Sequence, residues 1–169
     1  MCGIMGFFRW ELFKREDKTK LWNLLVKSFG DLEERGKDAS GIALINTENN
    51  KYLVFKKGVK ASELIKENAI RKTFLREDFN LILLHTRAWT NGKPDNNLNN
   101  HPFFDKDKNN ILIHNGIIRN FREVIDNEKL KVDGECDSEV ILSLFNKTKS
   151  ISETLSKLEG SMADRKSVV

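Results

Sequence analysis

The chain has 169 residues, 39% hydrophobic and 32% charged, which is enough for one sizeable core and fits a single domain over 1–169. Its 29 basic and 25 acidic residues leave a net charge of +4, and the lysines form neither a polybasic block nor an aromatic-spaced stripe, so nucleic acid is not an expected partner. The central apolar run Leu81-Ile82-Leu83-Leu84 is too short to cross a bilayer, and no basic region precedes the apolar N-terminus, so neither a membrane anchor nor a signal peptide is expected.

The chain opens Met1-Cys2-Gly3-Ile4-Met5-Gly6-Phe7-Phe8, an apolar stretch expected as a buried strand. Cysteine is small enough for Met1 to be trimmed. Cys2 would then carry a free α-amino group beside its thiol, a nucleophile and a base on one residue. An isolated Met-Cys start more often means an inert buried thiol, so the rest of the chain decides. Residues 18–35 read as a helix with Leu21, Leu25, Ser28 and Leu32 on one stripe and Trp22, Val26 and Phe29 beside it. Residues 41–45 and 52–55 read as strands of a hairpin. A short helix is expected over 61–68, with 71–77 ambiguous, and a strand over 80–85. A long loop follows from Trp89 to Asn100; rich in Asn, it has little of its own to bury, and such loops are often functional. A strand over 111–114 runs into the turn signal Asn115-Gly116. Short helices are expected near 119–127 and 151–158, a further one opens at Asp137-Ser138-Glu139, and Gly160 should begin a strand. Strands grouped with helices between, and hairpin links outnumbering βαβ spacings, indicate an α+β fold with mostly antiparallel sheets.

Five stretches carry the chemistry: Cys2-Gly3-Ile4; 34–41 around Arg35 and Asp38; His85-Thr86-Arg87-Ala88-Trp89-Thr90-Asn91-Gly92, ending at His101-Pro102-Phe103; His114-Asn115-Gly116; and Gly134-Glu135-Cys136-Asp137. In this order the set resembles the class II glutamine amidotransferase domain, an N-terminal-nucleophile hydrolase, with wording nearest to the glucosamine-6-phosphate synthase type. The likeness runs from residue 2 to about 163.

The resemblance implies a four-layer αββα sandwich of two mostly antiparallel sheets. It implies hydrolysis of the glutamine side-chain amide to glutamate and ammonia through a γ-glutamyl thioester on Cys2, without a cofactor or metal. Asn115 and Gly116 match the family's oxyanion hole. Arg87 matches the residue that binds the substrate α-carboxylate, and Asp137 the one that accepts from its ammonium. Thr90, Asn91 and Gly92 would line the glutamine pocket, with the following loop as a lid. Arg35 and Asp38 are expected to brace the strand that carries Cys2. The ammonia would pass to a partner synthetase or a further C-terminal domain. A Cys2–Cys136 disulfide would consume the nucleophile, so a reducing cytoplasm suits the sequence.

Local chemistry offers plainer roles beside these. Asn115-Gly116 fits an ordinary turn, Arg87 a surface ion pair, and Asp137 a helix N-cap. Cys136 fits a buried structural thiol, and His85, His101 and His114 fit structural positions rather than a catalytic base. Ala88-Trp89 reverses the family's usual Trp-Ala order, and Asn91 stands where His is frequent. After residue 163 the run Asp164-Arg165-Lys166 is a poor start for a buried strand; a shortened natural form, a fragment and a chain ended out of frame all fit. Two other functions stay open: a non-catalytic glutamine sensor, and a hydrolase of γ-glutamyl peptides or another amide.

Overall fold

The computed structural model describes residues 2–105 and 110–168, of which 162–168 are described as backbone. In chain order the elements are β1 (Gly3–Phe8), α1 (Lys18–Glu33), β2 (Ala39–Asn46), β3 (Lys51–Lys57), α2 (Ala61–Leu64), α3 (Asn68–Arg76), β4 (Leu81–Arg87), β5 (Phe103–Asp105), β6 (Asn110–Ile118), α4 (Phe121–Glu128), α5 (Glu139–Thr148), α6 (Ile151–Ser156) and β7 (Gly160–Val168). A four-stranded sheet has the order β1-β4-β2-β3 and a three-stranded sheet the order β5-β6-β7. Every pairing is antiparallel.

The two-residue side-chain period of a strand explains the layers. Ile42 and Leu44 of β2 and Ile82 and Leu84 of β4 face Trp22, Leu25, Phe29 and Phe74 on α1 and α3. Their alternates Ala43, Ile45, Leu81 and Leu83 face Ile111 and Ile113 of β6. Leu112 and Ile118, on the outer side of β6, pack under Val124, Val140, Ile141 and Leu144 of α4 and α5. The result is helix, sheet, sheet, helix: the αββα sandwich. Full burial of a side chain such as Phe29 or Ile82 contributes about 1.5–3 kcal/mol.

Several local expectations change. The buried stripe of α1 is Lys18, Trp22, Leu25, Phe29 and Leu32, while Val26 is exposed. Lys18 enters this stripe because its ammonium pairs with Asp78 at 3.5 Å and sits over the Phe79 ring. The helix expected over 61–68 ends at Leu64, and the ambiguous stretch after it is α3, which buries Ile70 and Phe74. Asn115-Gly116 is not a turn. Both residues lie inside β6, opposite Ala163 and Met162 of β7, because strand pairing overrides the local turn preference. The backbone of Asp164-Arg165-Lys166 likewise continues β7.

Candidate active site

The site lies where the C-terminal end of β4 meets the N-terminus of the chain. Gly3 of β1 pairs with Thr86 of β4, which places Cys2 beside Arg87 and Ala88. The Cys2 carbonyl is held from two directions: Arg35 Nε donates to it at 3.0 Å and Asn115 Nδ2 at 2.8 Å. The second bond joins the chain's start to β6 of the other sheet. The Cys2 thiol is half-buried, with Sγ 3.5 Å from the Ala88 carbonyl oxygen. Burial pushes this thiol above its ordinary value. The Ala88 backbone and the Arg87 guanidinium pull the other way, and the Asp137 carboxylate pushes with burial.

Arg87 is buried rather than a surface ion-pairing residue. Its Nη1 donates to Asn100 Oδ1 at 2.9 Å, and its Nη2 donates to the Gly92 carbonyl at 2.8 Å and to the Asn91 carbonyl. The guanidinium therefore organises the segment expected to line the pocket. Asn91 and Gly92 are half-buried and Thr90 is exposed on the bend after β4. Gly92 has φ +71°, and a Cβ there would lie 2.6 Å from the Asn99 side chain, so glycine is needed for both reasons.

The Asn-rich loop buries more than its composition suggests. Asn99 and Asn100 are both 0% exposed. Asn99 Nδ2 donates to the Lys93 carbonyl at 3.0 Å and its Oδ1 accepts from Glu135 N at 2.7 Å. Asn100 Nδ2 donates to the Pro94 carbonyl at 2.7 Å. Amide side chains carry both a donor and an acceptor, so they can be buried at little cost when both ends are bonded. These two asparagines are positioning residues that polar composition alone did not reveal.

Asp137 is 3% exposed, and its Oδ2 accepts from Ile118 N at 2.7 Å. The cap position of α5 belongs to Ser138, not Asp137, whose carboxylate reaches across to β6 instead. Gly116 lies next to Asn115 with its Cα against β7: a Cβ there would sit 1.9 Å from the Ser161 carbonyl oxygen. Arg35 reaches the carbonyl of Cys2, the residue just before β1. Asp38 braces the end of β4 rather than β1: its Oδ2 accepts from Trp89 N at 3.0 Å, and its own N–H donates to the Arg87 carbonyl.

The three histidines are buried, each at most 3% exposed: His85 and His101 lie between the sheets, and His114 lies on the outer side of β6 with its Nδ1 2.8 Å from Ser138 Oγ. His85 Nε2 is 3.0 Å from the His114 carbonyl, and the His85 and His101 rings stack with centroids 4.0 Å apart. Burial pushes His85 down to about 3 and His101 well below the ordinary imidazole range, so both are neutral and structural. Cys136 is buried, and burial raises its thiol. A cavity of ≈ 880 Å³ lies at the far end of the first sheet, between the β2–β3 turn and Glu77–Phe79, away from all these groups.

The αββα sandwich of two antiparallel sheets, with Cys2 at their joint, is the layered fold of N-terminal-nucleophile hydrolases. A family model described as a glutamine amidotransferase domain matches residues 85–164. The chain is 35% identical over 150 residues to a glutamine–fructose-6-phosphate aminotransferase (isomerizing) of Bacteroides thetaiotaomicron, covering 86% of this chain and 22% of the relative. It is 33% identical over 175 residues to the Clostridium acetobutylicum protein of that name, covering 96% of this chain and 26% of the relative. The chain thus spans about a quarter of the length of these relatives. Among solved structures, it resembles the glutamine phosphoribosylpyrophosphate amidotransferase of B. subtilis with a TM-score of 0.71 and 18% identity, over 98% of this chain and 34% of that one. A second, an allosteric regulatory enzyme of purine biosynthesis, gives a TM-score of 0.72 and 21% identity, over 98% of this chain and 35% of that one. Together these likenesses support a class II glutamine amidotransferase domain.

Proposed function

We propose that the domain hydrolyses the side-chain amide of L-glutamine and hands the ammonia to a synthetase or transferase partner, on the same polypeptide or another. The observation that carries this reading is the convergence of Cys2, Asn115, Arg87 and Asp137, from four separate stretches, around one thiol.

Cys2 Sγ attacks the amide carbon, with the α-amino group freed by removal of Met1 taking the thiol proton and delivering it to the leaving nitrogen. Ammonia departs and a γ-glutamyl thioester remains. Water then adds to the thioester carbon, the sulfur leaves, and glutamate is released. The oxygen that becomes negative in both steps is received by Asn115 Nδ2 and the Gly116 N–H. Burial raises the thiol's pKa, which disfavours a standing thiolate and suits a base that acts during attack. Arg87 takes the substrate α-carboxylate and Asp137 its ammonium, with Thr90, Asn91 and Gly92 along the side of the pocket and the loop beyond as its lid. Both cysteines are free thiols, in keeping with a cytoplasmic setting. Among the described residues no helix is long and apolar enough to cross a membrane.

The test is ammonia release from glutamine by protein whose intact mass reports a Cys2 N-terminus. Cys2→Ala should abolish turnover; normal turnover by that variant would end the mechanism. A glutamine-sensing role has one observation in its favour, the engagement of the Arg87 guanidinium by the Asn91 and Gly92 carbonyls. Calorimetric glutamine binding without ammonia release, by the processed protein, would establish the sensor instead.

A further inference from the structure

We propose that Lys56 is a positioning residue for this reaction: it clamps the turn over 97–100 from β3, and so fixes the acceptor that holds Arg87. The inference rests on the glutaminase reading above and adds to it a residue outside the five motifs.

Strand parity puts Lys56 in an unusual place. It follows Tyr52 and Val54 on the face of β3 that packs between the sheets, while Lys57 points outward to Glu67. Its ammonium lies 5.2 Å and 5.4 Å from the ring centres of Phe103 and Phe104, a partly desolvated position for a charge. Its principal acceptor is the Asn100 carbonyl, at 2.6 Å. The Lys56 backbone carbonyl accepts in turn from Asn97 Nδ2 at 2.8 Å. One residue thus grips both ends of the turn. Asn100, held at its carbonyl, presents Oδ1 to Arg87 Nη1 at 2.9 Å. The relay from Lys56 to Asn100 to Arg87 ends on the group that takes the substrate carboxylate.

Packing alone does not call for lysine here. A methionine would fill the same stem volume without the cost of desolvating a charge. Burial lowers Lys56 to about 8. The charges that face it are Glu139 of α5 and the Cys136 thiol, which raise it, and Arg87 of β4, which lowers it. Asp105, Lys131 and Asp133 line the adjoining cavity of ≈ 410 Å³. Lys56 therefore loses its proton as pH rises through about 8, and with it the charge assistance of the bond to Asn100.

The experiment is steady-state glutamine hydrolysis by the Met1-processed chain and three variants. Lys56→Met should raise KM for glutamine roughly tenfold, the equivalent of one charge-assisted hydrogen bond, with kcat within about threefold. Lys56→Arg keeps a cation that does not titrate. It should restore most of the KM and remove the rise in KM expected of the wild type as pH passes about 8. Asn97→Ala, at an exposed position, should raise KM about threefold without threatening the fold. A wild-type KM in Lys56→Met overturns the proposal, as does failure of Lys56→Arg to restore it. If Lys56→Met does not fold, a wild-type KM in Asn97→Ala overturns it. These results leave the glutaminase reading intact. Absence of ammonia release by the processed wild type overturns that reading, and the role of Lys56 falls with it.

Discussion

Replacing Asp137 by Asn and by Ala separates its structural role from its role toward substrate. The carboxylate is 3% exposed and accepts from Ile118 N at 2.7 Å, at the end of β6, and more weakly from the Cys136 thiol at 3.8 Å. In Asp137→Asn the amide oxygen still accepts from Ile118, so the fold should lose about 1 kcal/mol or less. The charge that would meet the glutamine ammonium is gone. A charge-assisted hydrogen bond contributes about 1.5–3 kcal/mol, so kcat/KM should fall roughly 10- to 150-fold. Asp137→Ala removes the acceptor as well and leaves the Ile118 N–H buried without a partner. That should cost a further ~2–3 kcal/mol, a drop of roughly 5–12 °C in Tm for a chain of this size. Ammonia release, coupled to glutamate dehydrogenase, measures the first effect and a thermal melt the second. Wild-type kcat/KM in Asp137→Asn would refute the ammonium contact. An unchanged Tm in Asp137→Ala would refute the brace on β6.

Two further outcomes follow from the site. Asn115→Ala should lower kcat about 100- to 1000-fold, as expected for loss of one oxyanion donor. Tm should move little, because Arg35 Nε remains on the Cys2 carbonyl at 3.0 Å; near-normal kcat would remove Asn115 from the oxyanion site. Stability should also depend on acid. His85 is held neutral down to about 3, whereas in the unfolded chain it takes up a proton near 6.5, and His101 is shifted the same way. The stability these residues allow is fully present above pH 6.5 and is lost as pH falls toward 3. Urea midpoints at pH 7.5, 6 and 5 should decline in that order, and equal midpoints would show that the imidazoles are not buried and neutral.

Which parts of this could be read from residues alone depended on whether local chemistry and tertiary pairing agree. The run Gly41-Ile42-Ala43-Leu44-Ile45 announces a hairpin strand and Leu81-Ile82-Leu83-Leu84 a strand buried on both faces, and both strands are there. The five chemical stretches carry enough residue-specific pattern to name Cys2, Arg87, Asn115 and Asp137 together. Asn115-Gly116 misled as a turn because its partner strand, β7, is distant in sequence. Asn99 and Asn100 were hidden by polarity: a buried, fully bonded amide and a solvated one look alike in composition. Lys56 did leave a signal, a charged residue on the interior parity of β3, but only knowledge of which face is interior makes it legible.

Besides the thiol's contact with Ala88, two bonds reach the Cys2 backbone carbonyl, from Arg35 on one side and Asn115 on the other. Chain termini ordinarily fray; this one is pinned by an atom that every amino acid possesses. The fold therefore reserves a location for residue 2 without regard to which element its side chain ends in. A serine or threonine at position 2 would be held by the same two backbone bonds, so under the proposed mechanism exchanging the nucleophile is a change of chemistry carried out on an unchanged mount.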